Sequence, residues 1–274
     1  VYECPESGSA NATEAYIRNL DSTDTSYGSC QATPDKFELT MYEMGLCTSD
    51  PISGSAGSKV WDKSNCVTTM VSSSGVTVDL APGSSSSKTA SLPSSETRPP
   101  SGTYTHAFVL LSNVIGLRGS YTFSDGTRYY STPEIDEEDN TPYGLPVIGS
   151  AAAQDHTDIV DQVGDDPYPM EMSPIPFPES QGGGEVSALL LKACDHIANK
   201  CTGTTPKAAS AAEAERIFAV FETNAGVPVV IKENTNGLEV VLSVKNAGYT
   251  LGVSEGSGIT YFGSAPFRPK FTTF

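Results

Sequence analysis

The sequence predicts an all-β protein: an antiparallel β-sandwich, jelly-roll or immunoglobulin-like, with long loops and at most one or two short helices. Three observations lead there. Apolar residues alternate with polar ones in several short runs, which is the period of a half-buried strand. Turn-forming Gly, Ser, Asn and Pro separate those runs. The chain of 274 residues also carries six cysteines, a number suited to stapling a loop-rich fold. This length accommodates one large sandwich or two small ones in succession.

Residues 1–34 are polar, rich in Ser, Thr and Asp, and read as an N-terminal arm pinned by a disulfide. Residues 35–131 read as the first half of the sandwich. Phe37, Leu39 and Met41 alternate with polar neighbours, and Val76, Val78 and Leu80 repeat the pattern after the turn at 72–75. Residues 82–103 have the Ser-, Pro- and Gly-rich composition of a linker. Strands are expected at 103–111 and 119–123. Asp125-Gly126 then predicts a hairpin into 127–130, because Asp-Gly supplies the positive φ angles of a tight turn.

Residues 132–185 read as an acidic, Pro-rich excursion. Between Arg128 and Lys192 lie 63 residues with no lysine or arginine, 13 carboxylates and eight prolines. Such a composition buries too little apolar surface to order by itself, so disulfides, a bound ion or a neighbouring subunit are expected to hold it. Residues 186–274 read as the second half of the sandwich, with strands at 186–193, 216–222, 227–233, 238–245, 248–253 and 258–262. Asn236-Gly237 predicts another hairpin. Val186, Leu189, Leu190, Ala193 and Ile197 also fit a helical stripe, but the preceding Gly run and the short apolar core favour a strand. Ser210 and Glu213 have the spacing of a capping box, which predicts a single helical turn.

Thirty-three acids against 16 bases leave a net charge of −17. Such a surface repels phosphate backbones and anionic lipid, which argues against nucleic-acid and membrane partners. Cys4, Cys30, Cys47, Cys66, Cys194 and Cys201 admit many pairings; short loop closure favours Cys4–Cys30, Cys47–Cys66 and Cys194–Cys201. Zinc is disfavoured, since no Cys-x-x-Cys pair occurs. Disulfides, an initial Val1 consistent with a removed signal peptide, and no membrane-length apolar run together predict a secreted protein. Asn11-Ala-Thr13 is a formal N-glycosylation sequon.

Catalytic constellations are poor. Gly252-Val-Ser254-Glu-Gly256 matches the nucleophile-elbow pattern, but a strand follows where a helix is needed, and no histidine occurs after His196. It reads as a hairpin turn. His106, His156 and His196 are scattered, and Trp61 is the only tryptophan available to a sugar cleft. No catalytic residue is assigned. Glu134, Asp136, Glu137 and Asp139 are candidate calcium ligands, because Ca²⁺ collects six or more oxygen ligands; Asp155, Asp158, Asp161, Asp165 and Asp166 form a second acidic set. Tyr129, Tyr130, Tyr143, Tyr168 and Phe177 flank the excursion and are candidates for stacking sugars or anchoring a neighbouring subunit.

The polar arm, the many strand edges and the Pro-rich loops make the chain similar in architecture to secreted bacterial or archaeal β-sandwich filament subunits of the pilin-like kind. The resemblance implies a structural, non-enzymatic role: self-assembly into a filament or other surface polymer by strand addition and loop contacts. The alternative is a secreted, calcium-assisted module that binds carbohydrate or a cell surface.

Overall fold

The computed structural model describes residues 2–20, 26–81, 95–133, 146–165, 167–178, 183–192 and 207–274. Helix α1 (Glu14–Arg18) precedes β1 (Tyr27–Ala32), β2 (Lys36–Cys47), β3 (Ile52–Ser53), β4 (Val60–Trp61), β5 (Cys66–Asp79), β6 (Ser95–Glu96) and β7 (Gly102–Tyr104). Then follow β8 (His106–Ser112), β9 (Val114–Arg118), β10 (Ser120–Thr122), β11 (Arg128–Tyr130), β12 (Val147–Ile148), β13 (His156–Ile159) and β14 (Glu171–Pro176). The last third holds β15 (Glu185–Lys192), β16 (Ala214–Glu222), β17 (Val229–Ile231), β18 (Leu238–Ser243), β19 (Tyr249–Ser254), β20 (Gly258–Ser264) and β21 (Arg268–Thr273).

The protein is all-β. Its main element is a nine-stranded antiparallel sheet, curled into half a barrel, that takes strands from both halves of the chain. In β2, Phe37, Leu39 and Met41 are buried while the residues between them are partly exposed, as the period-two pattern requires. β5 pairs with one edge of β2, and β8 and β9 together pair with the other. β8 and β9 thus act as one long strand interrupted at Asn113. Beyond them, β16 lies beside β8 and β13 lies beside β9. The runs FVLL in β8 and LLL in β15 are buried throughout because both faces are covered. On the inner face Val109, Leu111 and Leu190 join the main core. On the outer face Phe108, Leu110, Leu189, Leu191 and Phe218 form a second cluster with Ile52, Trp61 and the Cys47–Cys66 disulfide.

β1, β19 and β20 form a second, three-stranded sheet. Its Tyr249, Leu251, Val253 and Phe262 share one core with Phe37, Leu39 and Leu117 of the main sheet. The N-terminal arm folds back on its own chain. Cys4 is bonded to Cys30, Cys4 N–H donates to the Gln31 carbonyl (2.8 Å), and the Tyr121 hydroxyl donates to the Pro5 carbonyl (2.8 Å). Thr13 caps α1 by accepting from Tyr16 N–H, and Ile17 is fully buried. Gly28 has no side chain because α1 lies directly on it: a Cβ there would sit 2.7 Å from the Ile17 carbonyl oxygen.

The acidic excursion is woven into the fold by its own chain. β12 pairs with β11, β13 with β9, and β14 with β15, so no outside holder is needed for the described part of it. β13 and β14 end the main sheet. Pro174 and Pro176 in β14 suit an edge, where an absent N–H costs no ladder bond. The Asp125-Gly126 hairpin forms between β10 and β11, with Gly126 at φ 88°, and a 3₁₀ turn occupies Ala211–Glu213. The hairpin expected at Asn236-Gly237 does not form. β17 pairs with β7 and β18 with β21. Gly237 is hydrogen-bonded to the Phe274 backbone and packed against its ring, so it works by close approach rather than by a left-handed turn.

Candidate functional site

The C-terminal ribbon of β18 and β21 stands slightly apart from the main sheet, and a groove of about 580 Å³ lies between them. Met41, Met44 and Met70 of β2 and β5 line one side, and Leu238, Val240 and Leu242 of β18 line the other. The first set belongs to the main core. Leu238 and Val240 pack instead on a separate C-terminal cluster around Tyr104, Ile231 and Phe271. Leu242 packs on the main core, so the groove runs along the seam between the two clusters. The alternation in β18 puts Leu238, Val240 and Leu242 on one face, all half-buried, and leaves Val241 46% exposed on the other. Among the described residues β18 has a single strand partner, β21, and none of them pairs with its second edge. Among the described residues no carboxylate lines the groove. The one ionisable residue among the described lining is Arg98, whose guanidinium donates to the carbonyls of Lys232 (2.8 Å) and Glu233 (3.1 Å). Met41 and Met70 are buried in this wall and Met44 is half-buried, and their flexible thioethers can repack around an apolar guest.

The expected site residues are placed as follows. Glu134, Asp136, Glu137, Asp139 and Tyr143 lie outside the described residues, as do Cys194, Cys201 and His196. Among the described residues no group of three His, Cys, Asp or Glu converges as a metal site. Cys4–Cys30 and Cys47–Cys66 pair as short loop closure predicts. Tyr129, Tyr130 and Phe177 are turned into the chain's own core, whereas Tyr168 is 43% exposed and rests on Gly57. Tyr129 stacks edge-on against Phe123 at 5.4 Å. Ser254 ends β19 and enters a tight hairpin into β20, where its hydroxyl meets that of Thr260 at 3.4 Å; no elbow forms.

His156 is buried on β13 beside Tyr249, with ring centroids 6.4 Å apart. Among the described residues neither ring nitrogen has a partner in hydrogen-bond geometry. Burial pushes its pKa down to about 4, against the opposing pull of the neighbouring Asp155 carboxylate and the Phe262 backbone. Asp155 itself is held below the usual carboxylate range by its hydrogen bond to Lys36 (3.0 Å), with Arg118 adding to the effect. Asp158 goes the other way: burial raises its pKa although its carboxylate accepts from Ser264 N–H.

Sequence patterns did not reveal two buried ion networks. Glu43 accepts from Lys63 through both oxygens (2.8 and 2.7 Å) and from the Thr68 hydroxyl (2.6 Å), with the Lys63 ammonium 5.3 Å from the centroid of the Trp61 ring. Glu171 of β14 accepts from Gly57 N–H (2.8 Å), Lys59 N–H (3.1 Å) and the Lys207 ammonium. Both fasten the loop between Cys47 and Cys66, so their roles are structural. The groove went unread for a related reason. The alternation in β18 marks a strand, but nothing local says that its apolar face lacks a full covering layer. Compared with known proteins, the chain matches no family model, no curated protein and no solved structure.

Proposed function

We propose that the protein is an extracellular structural subunit that assembles into a filament or other surface polymer, and that the groove beside β18 receives an extended segment of a neighbouring copy. One observation carries the reading. A strand with a single partner presents a half-buried apolar face to a row of methionines. An added strand would satisfy the open backbone edge and cover the apolar walls together, which a compact ligand does not do. A second copy suits the charge pattern: a segment drawn from a chain of net charge −17 meets, among the described lining residues, no carboxylate and one cation, Arg98. Two disulfides fit an oxidising compartment, and no helix among the described residues is long and apolar enough to cross a membrane.

Sedimentation velocity at increasing concentration, with electron microscopy of native material, tests this. Polymers are expected for the native protein, and Val240→Asp should abolish them while leaving thermal unfolding cooperative. Leu242→Asp serves as the second variant should Val240→Asp fail to fold. A strictly monomeric native protein at high concentration, or polymers unchanged in a folded groove variant, overturns the proposal.

A further inference from the structure

A second hollow lies on the inner face of the main sheet, where β13 replaces β16 beside the long β8–β9 strand. Its floor is made by Ala188 and Ala219, which face each other across β15 and β16. Two alanines opposite one another leave a gap that larger neighbours do not fill. Phe37, Phe221 and Met172 stand around it, and Phe267 lies over it, with its ring centroid 6.3 Å from Phe37 and 5.4 Å from Phe221. The space is about 190 Å³. Its polar neighbours are already engaged, Ser264 N–H with the Asp158 carboxylate and the Gln162 amide with the Gly164 carbonyl. Among the described residues no charged one lines it.

We propose that this cavity is a binding site for a small, uncharged aromatic molecule. An enclosed apolar cavity of about 150 Å³ is large enough to hold benzene, and this partly open hollow offers a comparable apolar volume. Three phenylalanine rings offer edge-to-face partners, and the Met172 thioether favours contact with an aromatic guest over a saturated one. With Ser264 and Gln162 occupied within the chain, the guest needs no charge and no hydrogen bond. The site is separate from the groove beside β18 and does not depend on assembly.

Thermal unfolding of the whole protein in benzene-saturated buffer, with cyclohexane as a comparison of similar size, tests it. Benzene should raise the midpoint by about 3 °C, since a guest bound only to the folded state stabilises it by mass action. Cyclohexane should raise it less. Ala219→Leu fills the floor and should remove the benzene response, with Ala188→Val as the second variant if the first does not fold. No rise in the native protein, an equal rise with cyclohexane, or an undiminished response in a folded, filled variant overturns the proposal.

Discussion

Asn113 and Val160 bind each other in both directions. Val160 N–H donates to the Asn113 carbonyl at 2.8 Å, and the Asn113 side-chain amide donates back to the Val160 carbonyl at 3.3 Å. The same amide donates to the Ala214 carbonyl at 3.0 Å. One buried side chain therefore closes the end of β13 and the start of β16, the two strands that share the edge of β8–β9. Asn113→Ala leaves buried carbonyls without a donor and should cost about 2–3 kcal/mol of unfolding free energy, measured by denaturant titration. Hydrogen exchange should accelerate in β13 before it does in β2. Uniform acceleration would contradict a local role.

Glu171 holds the loop between Cys47 and Cys66 to β14. Its side chain is 2% exposed and meets two backbone N–H groups and Lys207. Glu171→Gln removes the buried charge that pairs with the partly buried Lys207 ammonium and should destabilise by about 3 kcal/mol. Because the contact is buried, high salt should not reproduce the loss; a salt-sensitive stability in the native protein would argue against this.

Cys47 and Cys66 close the base of that loop, 19 residues apart in sequence. Changing both to serine should lower stability by about 3 kcal/mol through the freed entropy of the unfolded chain. Trp61 reports on the loop directly, since its ring lies 4.7 Å from that of Phe218. Its emission should stay blue-shifted while Glu171 and the aromatic contact hold the loop, and move red only on global unfolding.

His156 sets a pH dependence. Its folded pKa, about 4, lies below the ordinary 6.5, so the unfolded chain binds the proton more readily between those values. The stabilisation is complete above pH 6.5, is lost as pH falls towards 4, and amounts to about 3 kcal/mol at 1.36 kcal/mol per unit. Asp158, whose pKa is raised, acts in the opposite sense near the acid end of the window, and Asp155, whose pKa is lowered, adds its loss below it. His156→Leu should flatten the stability profile between pH 6.5 and 4; an unchanged slope would assign the dependence elsewhere.

What could be read from residues followed from local chemistry. The alternation of Phe37, Leu39 and Met41, the Asp125-Gly126 hairpin, the turn after Ser254 and the two short disulfides each depend on neighbours in sequence. What could not be read depended on distant partners. Asn236-Gly237 has hairpin chemistry, but β21 claims β18 first and Phe274 fills the space over Gly237. The Pro-rich excursion supplies sheet edges because edges alone tolerate its prolines, and no local pattern names the strand it will join. The groove and the hollow under Phe267 are gaps between elements, and a gap has no residues of its own.

The pairing of β1 with β19 has a consequence for how the protein is made. Thr33 and Asn246, which exchange hydrogen bonds at the end of this pair, are 213 residues apart. The second layer cannot close until the chain has left the ribosome through β19 (Tyr249–Ser254). Until then the inner face of the main sheet has no cover, and contacts of such long range form slowly. A factor that holds the chain unfolded should therefore raise its yield more than one that speeds an early folding step.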